Sequence, residues 1–170
     1  MGEEMNTTVL TSETYIFNTP LEVGLRCVVI LNELKGQPLD FQRLIYFDYL
    51  LIHFGDADAN YESLHPATPR RSGEILIKRD LVGQGLLLMI TKKLVEIEYG
   101  PDGILYKAPS YCEIFLNHFE SQYMLQLREI AQALISKFSK YSNDDLKRYM
   151  TNNLDRWGGE FTKESFVRGG

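Results

Sequence analysis

Any chemistry in this chain has to come from few residues. The three histidines, His53, His65 and His118, are scattered, and none stands at metal-ligand spacing from a cysteine or carboxylate. There is no His-Glu-x-x-His pattern, which would set two histidines on one helix face over a zinc ion. Asp48 and His53 share a predicted helix but lie five residues apart, on different faces. His53 therefore reads as a hydrogen-bonded core histidine rather than half of a catalytic dyad. Gly83-Gln84-Gly85 lacks the later glycine, the lysine and the preceding strand of a phosphate-binding loop. No Gly-x-Ser-x-Gly elbow presents a nucleophile. The pairs Asp56/Asp58 and Asp144/Asp145 look like loop and helix-cap chemistry. Glu96 and Glu98 share one strand face, but on a protruding hairpin that face is ordinarily solvent. The expectation is a chain without catalytic residues, metal ligands or cofactor, and so not an enzyme.

Binding is the remaining class, and charge gives it a location. Residues 1–69 hold three basic and ten acidic residues, net -7; residues 70–93 hold six and two, net +4; the remainder holds nine and eleven, net -2. A basic segment in an acidic chain is either a solvated helix face or a binding surface. Its candidates to face DNA or a partner are Arg70, Arg71, Lys78, Arg79, Lys92 and Lys93. In a helix-turn-helix the recognition helix reads bases mainly from its N-terminal turn. Few of these residues fall there if the helix starts at Ser72. The hairpin that follows offers Lys107 against Glu96, Glu98 and Asp102, so an acidic wing would meet phosphate. That juxtaposition favours a protein partner, with DNA contact weak or made only within a larger assembly. Near the other end, Trp157, Phe161 and Phe166 crowd into ten residues flanked by glycine. They are expected to anchor on another surface, either of a partner or of this chain, because exposed together they form a sticky patch.

The elements that must position these residues are mostly helices. Thr19 and Pro20 supply a cap and a first-turn proline for a helix in which Leu21, Leu25, Val28 and Leu31 share a face, ending at Gly36. After the turn at Gln37-Pro38, Asp40 caps a second helix, Phe41 to Phe54, whose apolar residues nearly encircle it and require burial on most sides. Residues 55–71 break the pattern with glycine, asparagine, aspartate and proline, and form a long loop. A third helix starts near Ser72 or Asp80 and runs to Lys93, with Ile75, Val82, Leu86, Met89 and Ile90 at helical spacing. Gly83 and Gly85 inside it each cost about 1 kcal/mol relative to alanine, so they mark a close backbone approach or a kink. Leu94–Tyr99 alternates, Gly100-Pro101-Asp102-Gly103 turns, and Ile104–Lys107 returns as a hairpin. Helices are expected again over 110–119, 122–138 and 144–157, with a short strand at Thr14–Phe17. The fold class is α+β and mainly helical: a winged helix-turn-helix over 1–109, a helical extension over 110–157 packed on it, and a tail over 158–170.

With 44% hydrophobic residues and a net charge of -5, the chain has neither signature of disorder. Cys27 and Cys112 each lie in an apolar run and read as buried free thiols of a reducing compartment. The acidic start Met1-Gly2-Glu3-Glu4 does not resemble a secretory signal, and Asn6 stands where a myristoylation motif needs Ser or Thr. No apolar stretch is long enough to span a membrane. A cytoplasmic location is expected.

The segment Ser63-Leu64-His65-Pro66-Ala67-Thr68-Pro69-Arg70-Arg71-Ser72-Gly73-Glu74 is distinctive. Together with Leu21–Arg26, Asp48–Leu51, Leu86–Met89 and Arg156–Phe161, it resembles the middle component, type two, of bacterial ABC-three-component systems over roughly residues 15 to 165. Lamassu-type defence operons belong to the same broad class. The resemblance implies a small winged-helix-like protein between an SMC-like or ABC ATPase and an effector, often a nuclease, in anti-phage or anti-plasmid immunity. It brings no catalytic residues. The alternative is a stand-alone winged-helix DNA-binding regulator, since fold does not settle function.

Overall fold

The computed structural model describes residues 18–66 and 71–168, with residues 71–72 and 158–168 described by backbone alone. The strand expected at Thr14–Phe17 lies outside the described residues. Helix α1 spans Pro20–Glu33, and Thr19 caps it by accepting a hydrogen bond from the Glu22 N–H at 3.3 Å. The chain leaves it through Lys35 and Gly36, both at positive φ, where glycine costs least. Strand β1, Leu39–Asp40, leads into α2, Phe41–Ile52, and the Asp40 carboxylate caps α2 by accepting from the Arg43 N–H at 2.8 Å. A short helix α3, Phe54–Ala57, takes up the start of the segment expected to be loop.

Helix α4, Arg71–Thr91, begins at the earlier of the two expected starts. The hairpin is β2, Glu96–Gly100, and β3, Gly103–Lys107. Leu94 and Val95, expected in the first strand, are instead buried plugs between α4 and β2. The three strands form an antiparallel sheet in the order β1-β3-β2, with Leu39 opposite Tyr106 and Ile97 opposite Tyr106 on the other side. A two-residue strand has no alternation to read, so β1 left no mark in the sequence beyond the proline before it. Helices α5, Cys112–Leu116, α6, Gln122–Phe138, and α7, Asn143–Arg168, complete the chain. The backbone of α7 stays helical through Gly158-Gly159, where an irregular tail was expected.

One apolar cluster runs from Val23 in α1 to Trp157 in α7. Helices α1 and α2 are its centre, buried on most sides as their apolar girdles require. Helix α6 lays Met124, Leu127, Ile130, Ala131, Leu134 and Phe138 on it, whereas Leu125 faces solvent. Cys27 and Cys112 are buried free thiols, and burial pushes both up, Cys112 to about 11. Among the described residues no helix is long and apolar enough to cross a membrane.

Candidate functional site

Helix α4 has two unlike long faces, and their contrast defines the site. The inner face carries Glu74, Lys78, Val82, Leu86 and Met89, spaced three or four apart. It closes on α1 through glycine: a Cβ on Gly85 would lie 2.6 Å from the Gly24 N and 2.9 Å from the Pro20 O. This is the close approach foreseen for Gly83 and Gly85, but only Gly85 makes it. A Cβ on Gly83 meets nothing nearer than Phe41 Cζ at 3.8 Å.

Charge fixes the same face. Lys78 Nζ donates to Asp48 Oδ2 at 2.8 Å, and Arg26 Nε donates to Asp48 Oδ1 at 2.6 Å with a second bond from Nη2 to Oδ2 at 3.1 Å. The three side chains, from α4, α2 and α1, are at most 3% exposed. Burial alone would raise the Asp48 carboxyl, but Arg26 and Lys78 outweigh it and hold the group well below the usual carboxylate range. One turn nearer the start of α4, Glu74 Oε1 lies 2.8 Å from His53 Nε2, so α2 and α4 are joined twice. The loop is drawn into the same centre. The His65 N–H donates to the Ile52 carbonyl at 3.1 Å, and its Nε2 lies 2.9 Å from the Tyr123 hydroxyl of α6. Burial, then Arg26 and Lys78, push the His65 imidazole down to about 4. From α7, the Trp157 ring stacks on Tyr49 at 6.0 Å between centroids.

The outer face of α4 exposes large aliphatic side chains among its polar ones, where a DNA-reading helix would be polar throughout. Leu76 is 72% exposed, Ile77 65% and Leu87 67%, with Asp80, Gln84 and Thr91 exposed between and beside them. Of the basic candidates, Lys78 is removed from the surface by its bond to Asp48, which corrects its expected outward role. Arg79 is exposed, its Nη1 donating to Gln42 Oε1 at 3.2 Å and its guanidinium lying over the Phe41 ring. Lys92 and Lys93 are exposed beyond the end of α4. Arg70 lies outside the described residues, as does the Arg71 side chain. Trp157 is buried in its own chain rather than offered to a partner. The Phe161 and Phe166 side chains lie outside the described residues. Sequence reasoning missed Leu76, Ile77 and Leu87, although Leu76 and Leu87 fall three turns apart and off the stripe of Ile75, Val82, Leu86 and Met89.

The segments that carried the resemblance thus meet in space. Leu21–Arg26 gives Arg26, Asp48–Leu51 gives Asp48 and Tyr49, the loop gives His65 and Glu74, and the late segment gives Trp157. A family model, the ABC-three component (ABC-3C) system Middle Component 2, matches residues 16–160. The chain belongs to the ABC-3C Middle Component 2 family. No curated protein and no solved structure matches it. A middle component is one part of a multi-component ABC system, which implies protein partners. In this Middle Component 2 chain the charged centre and the outer apolar face are opposite sides of one helix, so the first holds the second in place.

Proposed function

We propose that this middle component is a non-catalytic adaptor that links an SMC-like or ABC ATPase to an effector, often a nuclease, in Lamassu-like anti-phage or anti-plasmid defence in the cytoplasm. The observation that carries this reading is the outer face of α4. Three large aliphatic side chains left mostly in water by a helix fixed from behind mark a protein-docking surface, because solvating them is unfavourable until a partner covers them. The order α1-β1-α2-α3-α4-β2-β3, with α3 a single turn and the sheet ordered β1-β3-β2, supports a winged helix-turn-helix in which α4 holds the recognition-helix position. Leucine and isoleucine there cannot hydrogen-bond to base edges. The hairpin beside it presents Glu96 and Glu98, which repel phosphate.

The test is co-purification of the tagged chain from its intact operon, wild type against Leu76→Asp with Leu87→Asp. Both positions are exposed, so the melting temperature should change little while partner recovery falls at least tenfold. Unchanged recovery with the variant overturns the docking face. Nanomolar binding of the isolated chain to one operator at about 0.15 M salt, with far weaker binding to scrambled DNA, establishes the regulator alternative instead.

A further inference from the structure

The hairpin leaves one sheet edge open. Strand β2 is the outer strand of β1-β3-β2, and among the described residues nothing pairs with its free side. Hydrogen bonds in an antiparallel pair alternate. Every second residue of β2 therefore turns its N–H and C=O away from β3. Counting by twos from the two-residue turn, which closes on Gly100 and Gly103, these outward groups belong to Ile97 and Tyr99.

The two faces of that edge differ. Ile97 and Tyr99 pair with Tyr106 and Ile104 on one face, and Tyr99 is 81% exposed, Ile104 48% and Ile97 41%. The opposite face carries Glu96 and Glu98, with Lys107 the nearby cation, 3.7 Å from Glu98. We infer that the β2 edge, at Ile97 and Tyr99 with Glu96 and Glu98 on the other face, accepts an extended segment of a partner protein in which apolar and basic residues alternate. It would add a fourth strand by main-chain hydrogen bonds, with its apolar side chains over Ile97 and Tyr99 and its cations over the glutamates.

Charge decides against the nearer occupants. A second copy pairing β2 with β2 antiparallel about Glu98 sets Glu98 on Glu98, and about Ile97 sets Glu96 on Glu98. Like charges directly opposite are destabilising. Residues 1–17 of this chain contain Glu3, Glu4 and Glu13 and no basic residue, so they are not complementary either. The glutamates that guard the edge against self-association, as edge charges commonly do, are also what selects a basic strand. The inference rests on reading the chain as a protein-binding subunit but uses a surface other than α4.

The test titrates the purified full chain with fluorescent hexapeptides: alternating lysine and isoleucine, the same composition in two blocks, and alternating glutamate and isoleucine. The alternating lysine peptide should bind at least tenfold more tightly than either other peptide, and should slow amide exchange at Ile97 and Tyr99. Glu96→Lys with Glu98→Lys should reverse the preference toward the glutamate peptide. Leu76→Asp with Leu87→Asp should leave peptide binding unchanged, so failure of the α4 reading and failure of this one are distinguishable. Equal binding of all three peptides, protection elsewhere than β2, or a concentration-dependent dimer through β2 overturns the inference.

Discussion

Lys78 of α4 and Asp48 of α2 form a buried ion pair at 2.8 Å, and Asp48 is shared with Arg26 of α1. Two cations on one anion at the meeting of three helices mean that the anion matters most. Asp48→Ala leaves both cations buried without their carboxylate and should cost about 3–5 kcal/mol. Lys78→Met keeps the Asp48–Arg26 pair and should cost clearly less. Urea unfolding of both variants checks the order. Equal losses would mean that the three charges do not act as described.

Gly85 and Gly83 should respond to alanine with opposite signs. Gly85→Ala forces a methyl against backbone atoms of α1 that cannot move aside, costing about 1–3 kcal/mol despite the better helix propensity. Gly83→Ala meets ordinary space and should gain up to about 1 kcal/mol. Thermal melting of the two single variants decides, and a stabilised Gly85→Ala would contradict the close helix packing.

His65 should make stability depend on pH. In the folded chain it titrates at about 4, facing Arg26, Lys78, His53, Asp48 and the Tyr123 hydroxyl, against 6.5 for a free imidazole. Between these values the unfolded chain takes up a proton that the folded chain refuses. Stability is therefore lost as the pH falls from 6.5 toward 4, by at most about 1.4 kcal/mol per pH unit, and is unaffected by this group above 6.5. His65→Gln removes the titration, so the melting-temperature difference between wild type and variant should shrink or reverse across that window. Parallel curves from pH 7 to 4.5 would rule the effect out.

Trp157 is packed on Tyr49 and meets Tyr149 edge-on at 6.1 Å. Trp157→Ala should cost about 3–5 kcal/mol and lower the melting temperature by many degrees. A variant that melts like the wild type but loses its operon partners would restore the tryptophan to an interface.

Local physics was legible in the residues. The caps Thr19 and Asp40 stand where their side chains accept hydrogen bonds from helix-start amides, and such signals act over three residues. The hairpin at Pro101-Asp102 and the helix Gln122–Phe138 follow from turn chemistry and a regular apolar period. The distinctive segments also implied the family, because their spelling does not depend on where they sit in space.

Only the tertiary structure decided which way side chains point when the alternatives are chemically equal. Lys78 and Arg79 are adjacent basic residues, yet one is buried on Asp48 and the other is solvated. The period of α4 put Val82, Leu86 and Met89 on one stripe, but Glu74 and Lys78 carry no apolar signal, so that period could not place them on the inner face. That choice was made by groups 30 to 52 residues away, Asp48 accepting Lys78 and Arg26, because a buried carboxylate must find its cations wherever the chain brings them. Gly24 set Gly85 apart from Gly83 in the same way. Partners so distant in sequence leave no local pattern, and the exposed outer face of α4 is what remains once they have claimed the other side.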